Sequence, residues 1–163
     1  MSMLNTGAVI LALLGSAVIA GVFFAFSSFI MRALGKLPSP DGIAAMQSIN
    51  VVVINPAFLG TFMGTAVLSL LVAALAIKGW GTPSAPFFLV GALLYLVGTF
   101  LVTGLGNVPL NERLAAVSAA DSEAVAVWVL YLDRWTSLNT IRTVAATAAA
   151  LLFTVGLMQG AGG

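Results

Sequence analysis

"PAFLGTFMGTAVLSLLVAALAI", residues 56–77, runs for 22 residues without a charge. A helix needs about 20 apolar residues to cross a hydrocarbon core, so this stretch predicts a bilayer-spanning helix. The rest of the chain reads the same way. Of its 163 residues, 61% are hydrophobic and 7% charged, with a mean hydropathy of +1.14. A water-soluble domain carries about a quarter of its residues charged, so most of this surface needs another solvent. Three further runs are long enough to span: Leu4 to Leu34, Pro86 to Leu105 and Thr140 to Met158. The expected fold is all-α, an integral membrane four-helix bundle. Residues 1–163 form its single domain, with spans at 4–34, 56–77, 86–105 and 140–158.

Composition also removes whole classes of chemistry. Without cysteine there are no disulfides and no thiolate metal sites. Without histidine there is neither imidazole catalysis nor histidine-ligated haem. Carboxylates, amides and tyrosines alone would hold only a hard ion, and weakly, so no metal and no cofactor are expected. A net charge of +1 offers nucleic acid nothing to bind. The first apolar stretch lacks a basic leader and exceeds the 7–15 residues typical of a signal core, so it reads as a span and not a cleavable signal. The bilayer is the first expected partner, in a multi-pass arrangement, with the plasma (inner) membrane as the expected site.

Between the spans, turn chemistry sets the connections. Gly7, Gly15, Ala17, Gly21 and Ala25 in the first span, and Gly60-x-x-x-Gly64 in the second, offer small faces for close helix approach in lipid. Such faces serve packing within the bundle or a homo-oligomer seam. After "MRALGKLPSP", Asp41 is placed to cap a short amphipathic helix running through Asn50. Pro56 pushes Asn55 out of helical geometry, so Asn55 reads as the N-cap of the second span. "KGWGTPSAP" is a short hairpin turn. "VTGLGNVPLNERLA", Val102 to Ala115, looks like the end of the third span, followed by a polar loop or helix region through Leu138. Arg32, Lys36, Arg113, Arg134 and Arg142 lie at one end of the spans and Lys78 at the other. That bias predicts cytoplasmic first and third loops.

The polar residues converge. Trp128, Tyr131, Trp135, Asn139 and Arg142 follow one another at intervals of 3, 4, 4 and 3, which is one stripe of an α-helix. It continues as Ala146, Ala149 and Phe153, the expected inward side of the fourth helix. Arg142 stands within apolar sequence, where a guanidinium costs about 2.5–3.5 kcal/mol at mid-bilayer unless it snorkels or finds a partner. Helix direction places Asn50, Asn55, Asn107 and Asn111 at the same end of the bundle. Each has a plain use as a helix cap or a solvated residue. Together with Asn139 and Arg142 they predict a polar floor under an apolar cavity, the usual build of a small-molecule site.

"GVFFAFSSFIMRAL", "AMQSINVVVINPAFLGTFMGT", "TGLGNVPLNERLA" and "WVLYLDRWTSLNTIRT" together resemble the anthrone oxygenase-like family of small integral membrane proteins. The likeness covers nearly the whole chain, and its N-x-P-x-N and W-x3-N-x-x-R patterns are its more specific parts. The resemblance implies a four-helix membrane protein. It also implies, from some fungal relatives, oxidation of polycyclic anthrones to anthraquinones by molecular oxygen without a recognised cofactor. For such chemistry Arg142 and Asn139 suit stabilisation of an enolate oxygen. Trp128, Tyr131 and Trp135 suit an aromatic cage around the substrate. The proton acceptor must be a carboxylate such as Glu112 or Asp133, or a water held by asparagines. The expected ligand is thus a lipophilic aromatic, anthrone- or hydroquinone-like molecule. A non-catalytic binding protein or transporter for it, or a structural membrane protein, are the alternatives. No Asp or Glu lies within the apolar spans, which disfavours a proton-coupled transporter.

Overall fold

The computed structural model describes residues 3–121 and 123–161, and every regular element in them is helical. α1 (Met3–Ala25) passes through a π-helical segment, Phe26–Ile30, into the short α2 (Met31–Leu34). α3 (Ser39–Val52) leads to α4 (Pro56–Lys78). α5 (Ala85–Leu93) continues through two π-helical segments, Leu94–Leu101 and Thr103–Asn107, into α6 (Val108–Ala115), and α7 (Ala124–Ala161) follows. Four continuous helices, Asn5–Leu34, Pro56–Lys78, Ala85–Ala115 and Ala124–Gly160, are long and apolar enough to cross a membrane. They fit a multi-pass membrane protein. Leu11, Val18, Phe24, Val67, Leu70 and Leu151 stand exposed along them, a surface suited to lipid and not to water.

Two boundaries differ from those read in the sequence. The third helix does not end at Leu105. It runs to Ala115, because the glycines and threonines of "VTGLGNVPL" are absorbed as π turns, and Pro109, which lacks an N–H to donate inside this continuous helix, lies just past the second of them. The polar region before the fourth span is helical, one of the two forms expected for it, since α7 begins at Ala124 and runs unbroken past Arg142. Asp41 does not cap α3. That helix starts at Ser39 with Pro38 as its N-cap and no side-chain cap bond, while Asp41 is an exposed first-turn acid. Asn55, by contrast, is the N-cap of α4, accepting from the Phe58 N–H at 3.0 Å.

α7 packs against α1 and α5, and α4 against α1 and α5. All eight members of the α7 stripe, from Trp128 to Phe153, are buried. The small-residue faces are arranged differently from expectation. A Cβ on Gly7, Gly21, Gly60 or Gly64 would meet nothing within 4 Å, and Ala17 is exposed. α1 instead buries Ala8, Ala12, Ser16 and Ala20, with Val9, Ile19 and Phe23. In lipid both sides of a helix are apolar, so small size alone does not mark the packed side. Gly15 does meet a neighbour as expected, the Thr65 side chain of α4, and α5 and α7 also approach closely. The Phe153 ring fills the space where Gly91 lacks a side chain, and the Phe88 ring fills that of Gly156.

Candidate functional site

The third long helix holds a polar stripe of unusual period. Tyr95, Thr99, Thr103, Asn107 and Asn111 are each four residues apart. At 3.6 residues per turn, sixteen residues at that spacing would drift by about 160° and carry Asn111 to the far side from Tyr95. The π segments take up more residues per turn and cancel the drift. Tyr95, Thr99 and Asn107 are accordingly buried, and Thr103 and Asn111 half-buried, on the side facing α7 and α4.

Arg142 of α7 meets this stripe. Its Nη2–H donates to Asn139 Oδ1 at 2.7 Å and its Nη1–H to Thr103 Oγ1 at 3.1 Å. The guanidinium carbon lies 4.0 Å from the Phe23 ring centroid and 5.2 Å from that of Trp135. Thr103 in turn donates to Thr99 O at 2.8 Å. Asn139, fully buried, uses its amide to bind Phe23 O and Ser27 Oγ, both at 2.7 Å, so α1 fixes the residue that fixes the arginine. Arg142 is 4% exposed, yet among the described residues it pairs with no carboxylate. The ion pair that is present joins Asp133 to Arg134 at 3.9 Å on an exposed face. Arg142 Nε and Asn107 Oδ1 are buried without a hydrogen-bond partner.

A second layer orients the aromatic wall. Trp135 Nε1–H and Tyr131 O–H both donate to Asn111 Oδ1 at 2.8 Å, and Asn50 Nδ2 donates to the Tyr131 oxygen at 3.3 Å. Asn107 Nδ2 donates to Trp135 O at 3.1 Å. Trp128 stacks on Tyr131 and Tyr131 on Trp135, with centroids 5.8 and 5.7 Å apart.

Arg142 opens onto a cavity of about 510 Å³. Its walls are largely apolar, with Val22, Phe23, Phe26, Met46, Phe58, Phe62 and Trp135 among them, and its polar groups are Gln47, Asn50, Thr103, Asn111, Glu112 and Arg142. Val51, Ile54, Leu59, Met63, Val108 and Glu112 line it and are themselves exposed, so the mouth lies between the α3–α4 turn and α6. Of the residues singled out in the sequence, Asn50, Asn111, Glu112, Trp135 and Arg142 line this space. Asn107, Asn139, Trp128 and Tyr131 stand behind it as buried supports. Asn55 does not join them. Its oxygen is spent on the Phe58 N–H and its amide on Val52 O, which holds it in the α3–α4 turn. Asp133 lies outside the cavity as well. Among the described residues no three Asp or Glu side chains converge as metal ligands.

Sequence reading passed over Thr99, Thr103, Ser27 and Gln47. The period-four run was the available signal for the threonines. Gln47, three residues before Asn50, shares its side of α3. Ser27 carried no signal beyond lying in a polar pair within apolar sequence.

Four bilayer-length helices thus surround an aromatic-walled cavity whose wall holds a guanidinium paired with no carboxylate among the described residues. The chain belongs to the anthrone oxygenase family, whose profile residues 50–152 match. The matched stretch contains Asn50, Thr103, Asn111, Glu112, Asn139 and Arg142, while Phe23 and Ser27 of α1 precede it. No curated protein and no solved structure matches the chain.

Proposed function

We propose that this protein is a membrane-embedded oxygenase that oxidises a lipophilic aromatic, anthrone- or hydroquinone-like molecule in the cavity beneath Arg142. One observation carries the reading: a buried guanidinium, unpaired by any described carboxylate, in the wall of an otherwise apolar space. Leaving a charge so placed without a counter-ion is strongly unfavourable, so an anionic oxygen on the ligand supplies what the protein omits. Family membership supports the oxygen chemistry.

The steps balance without a further reagent. A ring methylene next to the aromatic system gives a proton to Glu112, or to a water held by Asn50 and Asn111. The C–H electron pair moves into the ring system and leaves negative charge on the carbonyl oxygen. Arg142 stabilises that charge from a low-dielectric wall, where aimed donors act most strongly. The electron-rich anion passes one electron to dioxygen, and the two radicals join as a C–O bond. The resulting peroxide takes back the proton and loses water. Methylene plus dioxygen thus becomes carbonyl plus water. Phe23, Phe26 and Trp135 keep the rings dry and stacked.

The reading places the helices in the inner membrane with the cavity mouth on the cytoplasmic side, supported by Arg32, Lys36, Arg113 and Arg134 at that end and Lys78 at the other. The decisive experiment is oxygen uptake with quinone formation by purified protein and anthrone. A rate no greater than spontaneous oxidation, with and without chelator, overturns the oxygenase and leaves a binding protein.

A further inference from the structure

The cavity has a fixed hydrogen-bond polarity, set by one indole. Trp135 Nε1 can only donate, so the Asn111 atom facing it at 2.8 Å must be the amide oxygen. That same oxygen receives the Tyr131 hydroxyl proton at 2.8 Å. With its proton committed, the Tyr131 oxygen can only accept at its contact with Asn50, so the Asn50 atom 3.3 Å away must be the amide nitrogen. Flipping the Asn111 amide would set donor against donor at Trp135, and flipping that of Asn50 would set acceptor against acceptor at Tyr131. Both asparagines line the cavity, and their remaining groups are therefore determined. Asn111 offers N–H to the space, while Asn50 offers a carbonyl oxygen. Gln47 repeats the second assignment, since its Nε2 donates to Leu114 O at 2.8 Å and Val117 O at 2.9 Å, which leaves Oε1 as the free end.

The lining thus divides. Arg142 and Asn111 give donors only. Asn50 Oδ1, Gln47 Oε1 and the Glu112 carboxylate give acceptors. The two acceptor amides stand on α3, and the donors on α6 and α7. We infer that the cavity selects a two-ended aromatic ligand: an acceptor oxygen, carbonyl or enolate, toward Arg142 and Asn111, and a hydroxyl donor elsewhere on the ring system toward Asn50 and Gln47. Asn50 and Gln47 are then specificity-determining residues. Asn50 and Gln47 are half-buried, so a ligand without that hydroxyl would cover their acceptors and leave them unmet, which is how a polar site rejects an analogue of the same shape. The inference rests on the cavity as a ligand site but not on turnover, and it is tested by binding alone.

The test uses redox-stable probes and the intact protein in detergent, with quenching of tryptophan fluorescence as the readout. 2-Hydroxyanthraquinone should bind wild type about tenfold tighter than anthraquinone, the scale of one buried hydrogen bond. 2-Methoxyanthraquinone, which keeps the oxygen but cannot donate, should lose that advantage. Asn50→Leu should bring the hydroxy-to-parent ratio near one, and the ratio is the readout whatever the variant does to the affinity for anthraquinone itself. Equal binding of the hydroxy and methoxy probes by wild type overturns the inference, whatever the variants do. So does an undiminished preference in Asn50→Leu. Failure of oxygen uptake with this binding pattern intact would remove the oxygenase and leave the polarity standing.

Discussion

Arg142→Lys keeps the positive charge and removes the fork, so it isolates what geometry contributes. The guanidinium reaches Asn139 at 2.7 Å on its own helix and Thr103 at 3.1 Å on the neighbouring one, while lying 4.0 Å from the centre of Phe23. An ammonium donates from one atom and cannot hold both oxygens, lie flat on the ring and still face the cavity. Losing one charge-assisted hydrogen bond costs about 1.5–3 kcal/mol, and losing the ring contact about 0.5–2 kcal/mol. The part felt in the reaction is the lost donor to the developing anion, for which single removals lower kcat by about 10²–10³. The retained charge sets the expectation at the lower end: kcat/KM falls about 100-fold, or about 2.7 kcal/mol in the barrier. The assay is initial-rate quinone formation with matched oxygen uptake, corrected for spontaneous oxidation, with thermal unfolding run in parallel. Lys78→Ala, at the opposite end of α4, serves as the control and should be silent. A lysine variant within threefold of wild type at unchanged unfolding temperature would refute the role given to the fork.

Three further outcomes are expected. Thr103→Val keeps shape and removes one acceptor from the guanidinium; activity should drop about tenfold to 150-fold, the scale of a single hydrogen bond to a charge. Gly156→Ala should destabilise by about 1–3 kcal/mol, because its Cβ would overlap the Phe88 ring, whereas Gly60→Ala, with nothing near it, should be neutral in thermal unfolding; equal effects would mean the close approach has been misplaced. Because the chain has no cysteine, a single one introduced at Lys36 should be shielded from an impermeant thiol reagent in intact cells, while one at Gly81 should react, and the reverse labelling would invert the orientation.

Some of this was legible in the residues and some was not, for identifiable reasons. The α7 stripe could be read because Trp128 to Phe153 keep the ordinary 3.6 period, and each member is buried. Asn55 could be read as a cap because Pro56 leaves its neighbour few other conformations. The α1 packing side could not be read, since Gly21 and Ala20 are equally apolar and only three-dimensional fit decides which one faces a neighbour. The third helix misled for a different reason. Gly, Thr and Asn at four-residue intervals match neither a helix nor a strand template, so "VTGLGNVPLNERLA" looked like a terminus when it is the helix wall that carries Thr103, Asn107 and Asn111. Arg142 was visible as an anomaly, but that no carboxylate among the described residues pairs with it could be seen only when the neighbours were placed.

The period-four wall makes the site depend on counting as much as on chemistry. A π turn holds one residue more than an α turn, so a one-residue deletion at exposed Val97 or Leu101 can be absorbed by a return to ordinary winding. Asn107 and Asn111 then keep their facing. The same deletion in the regular winding of α5 would turn both by about 100° relative to the helix before it. The tract from Leu94 to Asn107 should therefore tolerate single deletions during evolution that α5 does not. Genetic variation can probe that constraint without any knowledge of the substrate.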